Sequence, residues 1–411
     1  MLIARTLYVV VTLTAGAALV AGCSGGGGSS SPITGIPPFG TQASTLTRTT
    51  ESLKNPSFQV IYNFQGYKDG ASPQSTLIYT NGKFYGTTYG LKPNGQGTCG
   101  TVFSLTPNAN FTAFTETVLH SFTGKNGDGC HPKGGVIAAG SNIYGATFVG
   151  GTSGAGTVFS IPMTGGPEQV LYSFGTGSTD AIGPNGPLLN VGSNLYGVTV
   201  GGGAANDGAV YSVSLTGGSD TVLYSFQGQP DGLSPIGGLI NVGSNVYGVT
   251  SQGGTMDLGT VFSVPLAGGQ DTVLSSFTTI ALPFAGLTNV GSNLYGTTLR
   301  AVYSVPLTGG PAVILHQFTE GLDGDAAESP LTLIGNDLYG TTVAGGAVNG
   351  RPSGFGTVYK VPIAGGSDKL LYSFVRGEPY YPIGGVIDVN GSLYGTLSRG
   401  GPNYTGAVFK L

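Results

Sequence analysis

The sequence predicts an all-β protein, a seven-bladed β-propeller built from four-stranded antiparallel blades. The first observation is a Tyr-Gly pair that recurs at intervals of roughly 50 residues, a period typical of propeller blades. The second is composition: glycine accounts for 76 of the 411 residues, which disfavours helices throughout. The third is that 39% of the residues are apolar and recur in register, as a packed β core requires. The pairs begin at Tyr85, Tyr144, Tyr196, Tyr247, Tyr295, Tyr339 and Tyr394.

The fourth repeat shows the strand pattern of one blade. Four short runs of β-branched and aromatic residues are separated by turn residues, and we name the predicted strands A, B, C and D. In this repeat they span residues 238–242, 246–250, 260–264 and 272–277. Gly-Ser-Asn between A and B, and Gly-Gly-Gln-Asp between C and D, supply the positive φ angles that tight hairpins need.

Aromatic residues occupy fixed positions in the repeat. Strand B carries tyrosine before glycine, strand C carries phenylalanine or tyrosine, and strand D ends in phenylalanine. A ladder of rings could bind a ligand, but packed propeller sheets need bulky side chains between them, so we expect these rings to pack one blade against the next. The glycine after each tyrosine is expected to let neighbouring backbones approach.

The order of the strands predicts how the ring closes. The repeats begin with a D-type strand at residues 60–64 and finish with a C-type strand at residues 407–411. The first D strand has no earlier blade to join, so we expect it to complete the last blade in a one-plus-three closure. Such a closure removes the exposed sheet edges that promote aggregation.

The residues before the repeats indicate export and anchoring. Residues 1–22 read as a signal peptide, with Arg5 before a short apolar stretch. Val20-Ala-Gly-Cys23 resembles the lipobox of bacterial lipoproteins, which implies a lipid on Cys23; plain secretion is the alternative. Residues 23–57 form a Gly/Ser/Thr-rich tether and residues 58–411 the propeller. Ser24 after the cysteine implies the outer membrane or cell surface of the envelope rather than the inner membrane.

Two further cysteines, Cys99 and Cys130, remain for the exported domain. Exported chains keep paired cysteines oxidised, and both residues fall in loops on one face of the same blade, so a disulfide is expected. Free thiols are the alternative.

The repeats resemble a known family. Val-Leu-Tyr-Ser-Phe, Asn-Leu-Tyr-Gly-Thr-Thr and Gly-Thr-Val-Phe are similar to the Gloeo/Verruco tandem repeat of bacterial exported proteins, over about residues 58–411. The resemblance implies a propeller-like fold and an envelope location, and it carries no activity or functional residue to this chain. The fifth repeat departs from the pattern, since it lacks the Gly-rich insertion and the Asp-Gly loop.

Variable loops point to one face of the propeller. The A-B and C-D turns are uniform, whereas the B-C and D-A loops vary, and loops on a rigid scaffold carry function. Most D-A loops share Asp-x-x-x-Pro, which reads either as an Asx-type turn or as a ring of carboxylates for a cation at the channel mouth. The motif begins at Asp69, Asp128, Asp180 and Asp231, with Glu378 as a variant.

Arginine and tyrosine are concentrated in the same loops of blades five to seven. Interaction hot spots favour both residue types, so we predict a ligand-binding patch, with solubilising surface charge as the alternative. Its members are Arg300, Arg351, Arg376, Arg399, Tyr380, Tyr381 and Tyr404.

Catalysis has little support in the sequence. His120 and His316 replace the tyrosine of strand D and read as surface or packing residues, and no catalytic motif, metal site or cofactor site stands out. A net charge of −4 gives no reason to expect nucleic acid. We therefore expect a monomeric, membrane-anchored module that binds protein or glycan. The alternatives are a polysaccharide hydrolase or lyase that uses the Asp69, Asp128 and Asp231 loops, and a passive structural protein.

Overall fold

The computed structural model describes residues 57–66, 68–90, 97–279, 282–319, 321–348 and 350–411. Within these residues the regular structure consists of β-strands, which form seven small antiparallel sheets and one short loop hairpin. The predicted seven-bladed propeller is confirmed. The predicted signal peptide, Cys23 and nearly all of the tether lie outside the described residues. No helix of the described part has the length and apolarity to cross a membrane.

The strands follow the predicted A-B-C-D order in each blade. The first strand and blades one to three comprise β1 (Gln59–Asn63); β2 (Ile78–Thr80), β3 (Lys83–Thr88), β4 (Thr101–Pro107), β5 (Phe114–Ser121); β6 (Gly129–Ala139), β7 (Asn142–Gly150), β8 (Thr157–Pro162), β9 (Gln169–Ser173); and β10 (Ala181–Pro184), β11 (Leu189–Val191), β12 (Asn194–Gly202), β13 (Ala209–Ser214), β14 (Thr221–Ser225). Blade three divides strand A into β10 and β11, both of which pair with β12.

Blades four to seven repeat the arrangement. They comprise β15 (Gly232–Val242), β16 (Asn245–Gly253), β17 (Thr260–Pro265), β18 (Thr272–Ser276); β19 (Thr288–Val290), β20 (Asn293–Thr298), β21 (Ala301–Pro306), β22 (Val313–Gln317); β23 (Thr332–Ile334), β24 (Asp337–Thr342), β27 (Thr357–Pro362), β28 (Lys369–Ser373); and β29 (Ile387–Val389), β30 (Ser392–Leu397), β31 (Ala407–Lys410). The two short strands β25 (Ala347–Val348) and β26 (Arg351–Pro352) form a hairpin in the B-C loop of blade six.

The ring closes as the strand order predicts. Strand β1 pairs antiparallel with β31, so the sheet of blade seven runs β1-β31-β30-β29. Val60 lies opposite Phe409, as Val273 lies opposite Phe262 in blade four. The first strand therefore occupies the strand-D position of the last blade in the register of an ordinary C-D pair.

The core consists of rings that bridge neighbouring blades. In each case the phenylalanine at the end of strand D meets the strand-C ring of the next blade, as in the edge-on contact of Phe226 with Phe262 at 4.9 Å. The same contact joins blade seven to blade one, where Phe64 and Phe103 are 5.1 Å apart. All four rings are fully buried. The aromatic ladder thus packs neighbouring blades against each other, in an edge-to-face geometry that aromatic pairs prefer.

The glycine after each strand-B tyrosine serves a different purpose from the one expected. It lies opposite the strand-C ring of its own blade, as Gly248 lies opposite Phe262. A Cβ added at Gly248 would come within 2.7 Å of the Phe262 ring. The expectation of backbone approach is therefore wrong here, because the missing side chain makes room for a ring.

Backbones do approach each other at the axis. A Cβ added at Gly134 would lie 1.9 Å from the carbonyl oxygen of Gly186 in the next blade, and one at Gly186 would lie 2.1 Å from that of Gly237. Glycine two residues after the proline of the D-A motif lets the innermost strands approach closely there. The residues that follow the D-A loops line the axis, so these loops lie around one end of it.

Candidate functional site

The structure brings three residues of the predicted arginine-tyrosine patch into contact. Tyr380 and Arg399 exchange backbone hydrogen bonds of 2.9 and 3.1 Å between the D-A loop and the B-C loop of blade seven. The Arg399 guanidinium lies 4.8 Å from the centre of the Tyr381 ring. The Tyr380 ring lies between Tyr381, at 5.1 Å, and Phe355 of blade six, at 5.2 Å. We call Phe355, Tyr380, Tyr381 and Arg399 the rim patch.

The remaining predicted residues lie in separate loops of the same face. Arg300 is exposed in the B-C turn of blade five, Arg351 is exposed in β26, and Arg376 is exposed in the loop that leaves blade six. Tyr404 is 65% exposed in the B-C loop of blade seven. Within the described part of the chain, the side chains of Arg351, Arg376 and Tyr404 make no hydrogen bond or ring contact with the rim patch. The coherent part of the prediction is therefore Arg399 with Tyr380 and Tyr381.

A disulfide lies on this face between blades one and two. Cys99 and Cys130 are bonded, with an S–S distance of 2.13 Å. The neighbouring His131 stacks on Tyr89 at 4.5 Å and makes a 2.8 Å hydrogen bond between its Nδ1 and the Tyr89 carbonyl oxygen. These contacts tie the two loops together and leave the His131 ring engaged on its face and at Nδ1.

An axial cavity of about 530 Å³ lies where the blades converge. Each blade contributes the residue that follows the proline of the D-A motif, or its equivalent in blade six, to the lining. We call this set the axial ring: Gln74, Lys133, Asn185, Ile236, Phe284, Glu328 and Ile383. Blades one, two and three, which are neighbours in the ring, each supply a polar side chain, whereas blades four, five and seven each supply an apolar one. The cavity is thus amphipathic around its circumference.

The two charges of the axial ring lie in a poorly solvated setting. Burial lowers the pKa of Lys133, and the Glu328 carboxylate partly offsets this effect. Burial raises the pKa of Glu328, and Lys133 partly offsets it in turn. The Lys133 ammonium also lies 4.8 Å from the centre of the Phe148 ring, a cation–π contact. A ligand that bridged the two charges would meet both with little competing water.

Sequence reasoning missed the axial ring although a signal was present. The residue after the proline of Asp-x-x-x-Pro changes from blade to blade, whereas the aspartate and the proline before it repeat. The carboxylates of the motif recur in most blades and are therefore more conspicuous in the sequence than this position. The position that varies within a constant frame is the one that faces the axis.

The carboxylates of Asp-x-x-x-Pro lie at the outer edge of the sheets. Asp231 accepts hydrogen bonds from the Tyr224 hydroxyl of strand D at 2.8 Å and from the Gln227 backbone N–H at 3.0 Å. Asp69 accepts the same bonds from Tyr62 and Gln65. A ring of carboxylates at the channel mouth is therefore wrong, because each side chain bonds backward to the outermost strand. The bond to residue i−4 also differs from the expected Asx turn, which reaches forward.

In five of these groups a second acid from the next blade lies beside the first, and we call these five the inter-blade clusters: those of Asp69, Asp128, Asp180, Asp231 and Asp323. Burial, and then the neighbouring Asp69, raise the pKa of Glu116 to about 7. Burial and Asp231 raise the pKa of Asp271 to about 6. Two carboxyl groups that share a partly buried site cannot both ionise freely.

His120 and His316 replace the strand-D tyrosine in two inter-blade clusters, so they are neither surface nor simple packing residues. His120 lies with Asp128 and Glu168, and His316 lies with Asp323 and Asp368. Burial, and then Asp128, raise the pKa of Glu168 to about 8. The sequence did not reveal these groups, since the third member comes from the following blade.

A sequence comparison with protein families decides the affiliation of the chain. The model of the Gloeobacter/Verrucomicrobia repeat matches residues 90–302, just over half of the 411 residues. The chain belongs to this family. The resemblance seen in the repeats is thereby confirmed. Among curated protein sequences, none matches the chain significantly.

Solved structures support the fold. The chain is similar to the extracellular domain of BT4673 from B. thetaiotaomicron, with a TM-score of 0.54 and 12% identity over 85% of this chain and 39% of that one. It is also similar to the computationally designed Ika8 protein, with a TM-score of 0.50 and 13% identity over 86% of this chain and 100% of that one. At such identities the similarity concerns the fold alone.

Proposed function

We propose that this propeller is a binding module of the bacterial cell envelope and that it takes a glycan at the axial ring. The observation that carries the proposal is the amphipathic cavity of about 530 Å³. Ligand pockets of roughly 300–1,000 Å³ with a few placed polar groups are the usual form of a small-molecule site.

The chemistry of the axial ring favours a polyhydroxylated ligand. The amides of Gln74 and Asn185 and the Glu328 carboxylate offer donors and acceptors for hydroxyl groups. Ile236 and Phe284 offer an apolar wall for the C–H face of a sugar ring. Lys133 suits a sugar that carries a carboxylate. The rim patch on the same face gives a longer glycan a second contact, through the stacked Arg399 and Tyr381.

Anchoring belongs to the same proposal. A lipid on Cys23 and a tether over residues 24–57 would hold the propeller at the membrane. Cys23→Ser should shift the protein from the membrane fraction to the soluble fraction in the native host. Retention of the variant in the membrane fraction would argue against a lipid on Cys23.

Binding can be tested on a glycan array with the purified full chain. Lys133→Met and Glu328→Gln should each weaken retention of the glycans that the parent binds by 10-fold or more. Arg399→Ala should cost about 1 kcal/mol, as loss of a peripheral contact does. Lys369→Ala, in β28 outside the cavity lining, is the matched control. Equal binding by the parent and both axial-ring variants would show that the glycan does not bind at the axial ring.

A further inference from the structure

The inter-blade cluster of His120, Asp128 and Glu168 has the composition of a metal site. It lies where strand D of blade one meets the C-D turn of blade two. His120 Nε2 lies 3.3 Å from Asp128 Oδ1 and 3.4 Å from Glu168 Oε2. One ligand atom from each of the three side chains lies within 4.8 Å of the other two.

His120 Nε2 and Asp128 Oδ1 form a hydrogen bond that is long for its type, and both distances also fit two ligands of one ion. Charge-assisted N–H···O bonds are usually about 2.7–2.9 Å long. Two ligand atoms bound to a tetrahedral ion at about 2.0–2.2 Å are separated by roughly 3.3–3.6 Å. The separations from His120 to both carboxylates fall in the second range.

Burial of Glu168 is an independent observation. Its side chain is only 6% exposed, and its Oε1 atom is buried without a hydrogen-bond partner. Asp128 is held in place, because its Oδ2 accepts bonds from the Thr123 backbone N–H and hydroxyl at 2.6 and 2.7 Å. Its Oδ1 is left to face the imidazole. A buried carboxylate with an unpartnered oxygen is costly, and a cation bound beside it at Oε2 would lower that cost, because the charge of the cation attracts both oxygens of the group.

The other inter-blade clusters provide an internal comparison. Where strand D carries tyrosine, the hydroxyl donates directly to the carboxylate, at 2.6 Å for Tyr62 and 2.9 Å for Tyr172. In those clusters the tyrosine hydroxyl supplies the hydrogen bond that the carboxylate accepts. At His120 the two carboxylates are retained and the donor is replaced by an imidazole, which offers a lone pair to a metal.

We propose that His120, Asp128 and Glu168 bind a divalent transition-metal ion, preferentially Zn²⁺, that clamps blade one to blade two. One imidazole nitrogen and two carboxylate oxygens are ligands that Zn²⁺ accepts, and water can take the fourth position from the partly exposed side of the cluster. His316 lies 3.5 Å from Asp323 and 3.9 Å from Asp368 in a wider version of the same arrangement.

Calorimetry can test the site in the full chain, purified without a histidine tag and freed of metal with EDTA. His316→Tyr is the background, so that only the His120 cluster is measured. This protein should bind one Zn²⁺ per chain and melt at a higher temperature with Zn²⁺ than with EDTA. With Co²⁺ in place of Zn²⁺ it should show visible absorption of a tetrahedral site.

His120→Tyr in the same background is the matched variant, since it recreates the cluster that the chain builds at Tyr62 and Tyr172 and should fold. It should bind Zn²⁺ at least 10-fold more weakly and lose the metal-dependent gain in melting temperature. Glu168→Gln should also bind Zn²⁺ more weakly and lose the gain in melting temperature. As an independent variant, it checks that the loss in His120→Tyr does not come from misfolding. Absence of Zn²⁺ binding by the background protein, or equal binding after His120→Tyr, would overturn the proposal.

Discussion

At the scale of single residues, the interior of each blade depends on the absence of a side chain. The glycine after the strand-B tyrosine and the ring of strand C lie opposite each other, and one fills the space that the other leaves. In blade four these are Gly248 and Phe262, and Leu239 lies against the same space. A core packed this densely responds to a single methyl group.

Gly248→Ala should therefore destabilise the propeller by about 1–3 kcal/mol, the usual cost of overpacking. The added Cβ would lie 2.7 Å from Phe262 and 2.8 Å from Leu239. Gly177→Ala is the control, since a Cβ there meets no atom within 4 Å. Urea unfolding of both variants measures the difference. Equal midpoints would show that the ring does not depend on the glycine.

A second prediction at this scale concerns pH. Folding raises the pKa of Glu116 to about 7, above its unfolded value of about 4.3. Between these two values the folded state therefore holds a proton that the unfolded state releases. The stability that protonated Glu116 contributes is complete below about pH 4.3 and is lost as the pH rises through 7. Glu116→Gln should gain in melting temperature relative to the parent between pH 5 and pH 8. The exposed Asp388→Asn is the control, and a gap for Glu116→Gln that does not change with pH would refute the assignment.

The aromatic ladder could be read from the sequence because its residues recur in every repeat, and the repeat fixes their register. Lys133 and Glu328 could not, since each occurs once at a position where other blades carry amides or apolar side chains. The cluster of His120 with Glu168 was hidden for another reason. Its members belong to different blades, and a pattern along one repeat does not show which atoms meet across two.

At the scale of elements, closure depends on one short strand. Strand β1 pairs with β31 from Gln59 opposite Lys410 to Asn63 opposite Ala407. Tyr62 also donates its hydroxyl to Asp69, and the Phe64 ring packs against Phe103 of blade one. The strand therefore holds both the last sheet and the boundary with the first. Its role was predictable because strand order alone leaves no other place for it.

Deletion of residues 58–64 should open blade seven. The loss removes the pairing with β31 and exposes the edge of that strand, which is a template for association. We expect a melting temperature lower by 10 °C or more and oligomers in sedimentation velocity. A monomer with the melting temperature of the parent would rule out closure by β1.

At the scale of the whole molecule, the propeller is a ring in which each blade contacts two neighbours through the same ring-to-ring contacts. Blade seven joins blade one by the contact of Phe64 with Phe103, as blade three joins blade four by that of Phe226 with Phe262. The place in the ring where the chain begins and ends therefore affects how the strands are connected, and not how the blades pack. This symmetry was visible in the sequence, whereas the face that functions depends on residues that break it.

A circular permutant tests whether the ring is closed by pairing alone. Residues 68–411 would be followed by a copy of residues 265–270, the C-D connection of blade four, and then by residues 58–67. The graft suits the register, because Val60 lies opposite Phe409 as Val273 lies opposite Phe262. The four strands of blade seven then follow one another along the chain, and the two chain ends lie in the loop before blade one.

The permutant should be monomeric and should melt within about 5 °C of residues 58–411, which for a domain of this length corresponds to a difference of roughly 4 kcal/mol or less. Both proteins retain every strand pair and every inter-blade ring contact, and they differ only in which loop is cut. The control is a permutant that carries the same graft but lacks residues 58–64, which should lose the stability of the closed ring. A permutant that fails to fold although its strands are complete would show that the covalent link from β1 into blade one, and not the pairing of β1 with β31, holds the ring closed.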